Sequence, residues 1–328
     1  MKPHRCQSDR RATLIALAAL AGALIAGPAA AQQAAYPTRA VSLVVPFTPG
    51  STVDISARTF GRDFSKRLGQ PVNIENRPGV AAFRAVKSAT PDGHTLMWHS
   101  GGATIAQTVL KEPDFDIRRD FLPISMVARG PLALFVKSDS PFKSAKDMID
   151  FARRNPGKLN YGSTGVGSTL HLVSEIFKGV ARVDIVNVPY KGGNDAVTAL
   201  LSGQIEVLFF DASFILGGGR DKTRIIALTA RERSPYFPEI PTMAESGGPE
   251  FEVAFWLGMF APAGTPRTVI DRLNGMIRES LRAPDMQEYL KKQTYVAAWM
   301  TPEDMQKLVV QEVEQWTRVV RDVGVPLQ

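Results

Sequence analysis

Two short turns concentrate the residues that could do chemistry. Val45-Pro46-Phe47-Thr48-Pro49-Gly50-Ser51-Thr52-Val53-Asp54 and Tyr161-Gly162-Ser163-Thr164-Gly165-Val166-Gly167-Ser168-Thr169 each follow a strand-like run and open a helix-like one. Serine and threonine supply hydroxyl donors there, and the first turn of a helix supplies unpaired N–H groups and a partial positive charge. The chemistry this suits is anion binding, and two such turns facing each other suit a solute with a carboxylate at either end. Pro49, Gly50, Ser51 and Thr52 of the first turn, and Ser163, Thr164, Gly165, Gly167, Ser168 and Thr169 of the second, are the expected ligand contacts.

Covalent and metal chemistry are poorly provided for. The second turn superficially matches the phosphate loop Gly-x4-Gly-Lys-Ser/Thr, but Ser168 stands where the lysine would meet the phosphates. Ser168 and His171 sit three apart on one predicted helix, which does not aim an imidazole at a nucleophile on a strained elbow, and no Gly-x-Ser-x-Gly is present. His94, His99 and His171 show no metal-ligand spacing, so no metal and no cofactor are expected. Asp54 reads as a residue that stabilises the start of its helix. Asp211, at the end of a buried strand, reads either as a functional residue, accepting from a ligand hydroxyl or amine or fixing the opposite loop, or as a purely structural one. Trp98, His99, Ser100 and Gly101 follow another strand and would line the same crevice, with Phe47 and Phe83 as apolar walls.

The elements that must hold these turns alternate, short β-branched runs with longer helical patterns, which argues for an α/β fold with parallel sheets and crossover helices. Strands are expected at Val41-Ser42-Leu43-Val44-Val45, Val72-Asn73-Ile74-Glu75 and Thr95-Leu96-Met97-Trp98, with a helix from Ile55 to Leu68 stopped by Gly69. After the run Ala133-Leu134-Phe135-Val136 and a helix from Ala145 to Arg154, a second unit repeats strand, small-residue turn and helix. It runs through helices at Leu170 to Phe177 and Ala196 to Leu201 and strands at Ile185 to Val188, Glu206 to Phe210 and Ile225 to Leu228. Val253 to Phe260 would return the chain to the first unit. Thr265-Pro266 is expected to begin a helix with a cap and a proline at its first position. Met305, Leu308, Val309, Val313 and Trp316 recur at helical spacing in the last helix and are read as core.

The chain of 328 residues has a formal net charge of +7. Lys2, Arg5, Arg10 and Arg11 against Asp9 account for three of those charges and precede an apolar stretch from Leu14 to Ile25 and Ala29-Ala30-Ala31. Residues 1–31 therefore read as a cleaved export signal rather than a membrane anchor. Arg10-Arg11 leaves the Sec and twin-arginine routes both open. The single cysteine, Cys6, lies in that leader, which excludes a disulfide or a thiolate site from the remainder. The remaining charge forms no Lys/Arg run, so nucleic acid is not an expected partner.

These segments together resemble the Bug-type solute receptors of tripartite tricarboxylate transporters. The resemblance is carried by Tyr36-Pro37-x-Arg39, Val44-Val45-Pro46-Phe47-x-Pro49-Gly50, Glu75-Asn76-Arg77-Pro78-Gly79, Pro91-Asp92-Gly93-x-Thr95-Leu96 and Pro156-Gly157-Lys158-Leu159-Asn160-Tyr161-Gly162-Ser163. It continues in His171-Leu172, Val188-Pro189-Tyr190-Lys191-Gly192, Phe210-Asp211, Ile240-Pro241-Thr242 and Ala261-Pro262-Ala263-Gly264-Thr265-Pro266. It implies a two-lobed periplasmic binding protein type II-like fold, two Rossmann-like lobes joined by two crossing segments. Lobe 1 would comprise residues 36–134 and 255–328, and lobe 2 residues 135–254. It further implies a non-catalytic, monomeric receptor closing on a small organic carboxylate, with Tyr190, Lys191 and Gly192 added to the site, and delivery to membrane permease subunits. Two departures stand out: Ser51 and Thr52 replace two glycines of the family pattern. After Gly79 the stretch Val80-Ala81-Ala82-Phe83-Arg84-Ala85 replaces a glycine-rich one, so that Arg84 could bring a positive charge to the ligand. An exported hydrolase and a ligand sensor without transport role are the alternatives.

Overall fold

In the computed structural model, residues 36–165, 168–217, 221–324 and 327 are described, and every element lies in the unit Arg39–Gln328. The proposed leader 1–31, together with Val166 and Gly167, falls outside the described residues. β1 (Val41–Val45) is buried along almost its whole length and pairs in parallel with β2 (Val72–Asn76) and β3 (Thr95–Ser100). Between β1 and β2 runs α1 (Thr52–Leu68), which packs Ala57, Phe60, Phe64 and Leu68 on the sheet and ends at Gly69. Both faces of β3 are covered, so all but its first residue are buried.

α2 (Val80–Lys87) and α3 (Gly102–Val109) complete this region. Neither is announced in the sequence, because each starts at a glycine without a side-chain cap and lasts only two turns. β4 (Phe121–Lys137) then runs for 17 residues, where the sequence suggests only a four-residue strand near its end. Its first part pairs antiparallel with β9 (Ala254–Pro262), from Phe121↔Pro262 to Pro131↔Ala254. From Leu132 onward its partners are β7 (Leu208–Asp211) and β8 (Thr223–Leu228), also antiparallel. One strand therefore belongs to two sheets, and the expectation of wholly parallel sheets holds only for β1 with β2 and β3, and for the next pair.

That pair is β5 (Asn160–Ser163) and β6 (Val186–Pro189). Around it lie α4 (Ala145–Arg154), α5 (Thr169–Ala181) and α6 (Gly193–Ser202). α4 begins with a full capping box, Ser144 and Asp147 bonding each other's backbone N–H groups. The chain returns through β9, which inserts between β3 and β4 to give the order β2-β1-β3-β9-β4, with β10 (Val296–Ala297) at the edge.

α7 (Arg267–Arg282) follows; its cap position is Pro266, and the Thr265 hydroxyl instead donates to Pro262 O, one residue off the expected start. α8 (Pro284–Lys292) is a further helix that the sequence pattern did not reveal. α9 (Pro302–Val323) starts at Thr301, as its cap chemistry predicts. Met305, Val309 and Val313 join Val44, Met97 and Trp256 in one core cluster, while Trp316 and Val320 join Leu134, Tyr161 and Phe177 in another. The apolar stripe of α9 is therefore spent on the interior of both halves.

Candidate functional site

Among the described residues, five helices begin within a few residues of the C-terminal ends of parallel strands: α1 after β1, α2 after β2, α3 after β3, α5 after β5 and α6 after β6. In open α/β sheets this edge is where ligands bind. Two of the starts are capped in the same way by the repeated tripeptide Gly-Ser-Thr. Ser51 Oγ accepts the Asp54 N–H at 3.2 Å, and Ser168 Oγ accepts the His171 N–H at 3.3 Å. The α3 and α6 starts have glycine caps, Gly101 and Gly192, with no side-chain bond. Their first N–H groups are left to whatever occupies the cleft.

The first turn is pinned from below. Asp54, 2% exposed, accepts from Gly50 N–H (2.9 Å), Asn76 Nδ2 (2.9 Å) and Arg58 Nε (3.0 Å). Burial works against its charge, but the bonds from Arg58, Gly50 and Asn76 prevail and hold its carboxyl below the ordinary aspartate value. Asn76 Nδ2 also donates to Phe47 O at 3.0 Å, so a residue that reads from sequence as a strand exit fixes both ends of the turn. Asp54 thus serves the helix start, in line with its sequence reading.

The second turn is shaped by Ser163, which is fully buried and accepts the Gly165 N–H at 3.3 Å. Gly165 has φ +106°, a conformation closed to most side chains, and its carbonyl accepts the Ser168 N–H. The Tyr190 N–H donates to Ser163 O at 2.8 Å and ties the β6–α6 loop alongside. Thr164, Gly165, Ser168, Thr169, Tyr190 and Gly192 are half-buried, and Lys191 is exposed. Gly167 is outside the described residues.

The second turn meets the β3–α3 junction at Gly102. A Cβ placed there would lie 3.3 Å from Thr169 Oγ1, 3.5 Å from Ser100 Oγ and 3.6 Å from His99 Cε1. The missing side chain lets Thr169 and Ser100 approach the α3 start closely. If the site lies here, Gly102→Val should weaken ligand binding roughly tenfold with little change in melting temperature, since the added methyls meet hydroxyls rather than the core. Calorimetric titration checks this; unchanged affinity would move the site elsewhere.

Behind Gly102 the α3 start is held by the crossing strand. Gly101 N–H donates to Trp256 O, and a Cβ on Gly101 would fall 2.8 Å from Trp256 Nε1. That indole donates to Glu312 Oε1 at 2.9 Å, and Thr104 Oγ1 lies 2.8 Å from Glu312 Oε2. Burial pushes the Glu312 carboxyl up to about 7.

Several sequence expectations are corrected. Trp98 does not line the crevice: it is fully buried on the α1 side of β3, packed on Phe60 and Phe64, with Nε1 donating to Ser56 Oγ. Alternation along the strand then turns His99 the other way, against Phe47 and Phe83. Phe83 is 2% exposed and stacks on Phe115, so it is a core residue beneath His99 rather than a wall of the cleft. Arg84 points to the surface and pairs with Asp114 at 2.5 Å. Asp211 is buried, and its carboxyl is taken up by the Tyr295 hydroxyl and by the Ser213 N–H at 2.9 Å. Those bonds hold the Asp211 carboxyl within the fold, in place of the ligand contact expected of it. Among the described residues no cluster of histidine, cysteine, aspartate or glutamate could hold a metal, and no helix is long and apolar enough to cross a membrane.

Comparison with known proteins bears on this geometry. A family model described as "Tripartite tricarboxylate transporter family receptor" (TctC) matches residues 56–325. A Pseudomonas sp. (strain P51) protein, described as a UPF0065 protein in the tcbD-tcbE intergenic region, is 36% identical over 313 residues, covering 93% of this chain and 92% of its own. R. palustris Rpa4515, solved with adipate, superposes with TM-score 0.80 at 33% identity over 89% of this chain and 99% of its own. The periplasmic binding protein BugD gives TM-score 0.78 at 31% identity, over 89% and 100%. MatC from Rhodopseudomonas palustris, solved with malate, gives 0.78 at 29% identity, over 87% and 100%. The chain shares their two-lobed, type II-like α/β architecture.

Proposed function

The chain belongs to the TctC family of tripartite tricarboxylate transporter receptors, and from that premise we propose that it is a periplasmic receptor that captures a small organic carboxylate between its lobes. The observation that carries this reading is the pair of Gly-Ser-Thr helix starts, one from each half of the fold, each capped by its serine, with the second lying beside the uncapped α3 start at Gly102. N–H and hydroxyl donors of this kind replace the hydration of a carboxylate without bringing a full charge. Adipate and malate in two similar structures support a dicarboxylate as ligand.

Lobe 1, residues 36–134 and 255–328, and lobe 2, residues 135–254, close by hinge motion about β4 and β9, where β4 changes partners between Pro131 and Leu132. Residues 1–31 direct export and are removed. The receptor acts without catalysis, as a monomer, and delivers its ligand to the membrane subunits of a tripartite transporter.

The test is binding of a dicarboxylate panel to variants of the second turn. Gly165→Val forces a side chain onto φ +106° and should weaken binding roughly tenfold through about 1–2 kcal/mol of backbone strain. Ser168→Ala should lose about 1 kcal/mol of stability as a cap is removed, yet keep affinity within a few-fold, because the N–H donors remain. Negligible effects of both on affinity would sink the assignment of this turn.

A further inference from the structure

The cradle described above is built of helix N–H donors and of the hydroxyls of Ser100, Ser168 and Thr169, which donate or accept. His99 adds a ring nitrogen that can only accept. Its side chain is buried, 4% exposed, with the ring edge-on to Phe47 (5.3 Å, 72°) and tilted on Phe83 (5.2 Å). Nδ1 lies 2.8 Å from the Ser100 carbonyl oxygen. A carbonyl can only accept, so Nδ1 carries the hydrogen and Nε2 is left as a lone-pair acceptor. Burial drives the His99 pKa down to about 4, so the ring is uncharged at neutral pH.

Nε2 has no partner among the described residues, and it is not one of the sealed polar atoms that lack one. It therefore keeps exposed surface, and the adjoining Cε1 lies 3.6 Å from where a Gly102 Cβ would sit, next to Thr169 Oγ1 and Ser100 Oγ. A nitrogen that can only accept cannot serve a carboxylate, which has nothing to donate. It can serve a hydroxyl carried on the same ligand.

We propose that His99 is a specificity residue whose Nε2 accepts a hydrogen bond from a ligand hydroxyl, so that the receptor prefers hydroxy-dicarboxylates to the corresponding plain dicarboxylates. This rests on the carboxylate-receptor reading and names the class within it. A plain acid leaves Nε2 dehydrated without a partner, whereas a hydroxy-acid satisfies it. One neutral hydrogen bond of this kind sets a preference of roughly three- to tenfold.

The experiment is calorimetric titration at pH 7.5 with pairs that share a skeleton, succinate with malate and glutarate with 2-hydroxyglutarate. The wild-type chain is expected to bind the hydroxylated member more tightly. His99→Asn keeps a donor for the Ser100 carbonyl but removes Nε2, and should erase the preference while leaving the plain acid within about twofold. His99→Gln, whose amide reaches the Nε2 position, should restore part of it. Equal affinities within the pairs for the wild type, or a preference that survives in a folded His99→Asn, would overturn the proposal. Failure of every acid to bind the wild type would instead overturn the carboxylate reading, and the proposal with it.

Discussion

Glu312→Gln should stabilise the protein at pH 8 and flatten its dependence on pH between 5 and 8. Glu312 reaches in from α9 to the buried Trp256 indole and the buried Thr104 hydroxyl, and burial raises its carboxyl from 4.5 to about 7. The folded chain thus holds this proton to higher pH than the unfolded chain does. The contribution of Glu312 is most favourable below about pH 4.5 and is lost as pH rises through 7, by about 3 kcal/mol at the alkaline end. Glutamine keeps both partners: its carbonyl accepts from the indole and its NH₂ donates to Thr104 Oγ1. The Thr104 hydrogen is then free for Gly101 O, with which it also bonds. A melting-temperature gain of roughly 5–10 °C at pH 8, shrinking towards pH 5, is the expected reading. A variant whose melting temperature tracks that of the wild type at every pH from 5 to 8 would remove Glu312 as the source of the fall.

The second large effect concerns Asp211 and Tyr295. Tyr295 is 1% exposed, stacks on Phe255 and lies against Gly130, where a Cβ would come within 2.7 Å of its ring. Gly130 and Phe255 are paired across β4 and β9, so the ring covers the point where the two crossing strands run side by side. From there its hydroxyl bonds Asp211, at the end of β7, whose carboxyl burial pushes up from the ordinary aspartate range. Tyr295→Phe and Asp211→Leu should each cost about 1–3 kcal/mol, the penalty for orphaning one buried polar group. The double variant should cost little more than either, because both remove one bond. Neither should alter which acid binds. A change of ligand preference in Asp211→Leu alone would return that carboxylate to the binding site.

Much of this was legible in the residues. Ser51, Ser168 and Thr301 announce helix starts because capping is local chemistry, read within four residues. The helical spacing of Met305, Val309, Val313 and Trp316 likewise survives intact as core. What escaped depended on partners far along the chain. The Asp211 partner stands 84 residues away and that of Thr104 208 residues away, distances over which no spacing rule operates. Trp98 and His99 could not be assigned to faces because β3 is buried on both, and an apolar run without alternation gives no phase. Arg84 was misplaced for a different reason: α2 has no capping residue, so its orientation toward Asp114 left no mark.

The insertion of β9 between β3 and β4 sets the order in which the molecule can assemble. Its neighbours in the sheet are complete by residue 137, but β9 itself begins at Ala254. Until it arrives, β3 has an unpaired side and the first part of β4 has nothing to bond, while the intervening chain is continuous and can pair β5 with β6 and build β7 and β8 on the end of β4 without waiting. The half that contains the first cradle is therefore the last to close, and in the interim it exposes the open strand edges most prone to mispairing.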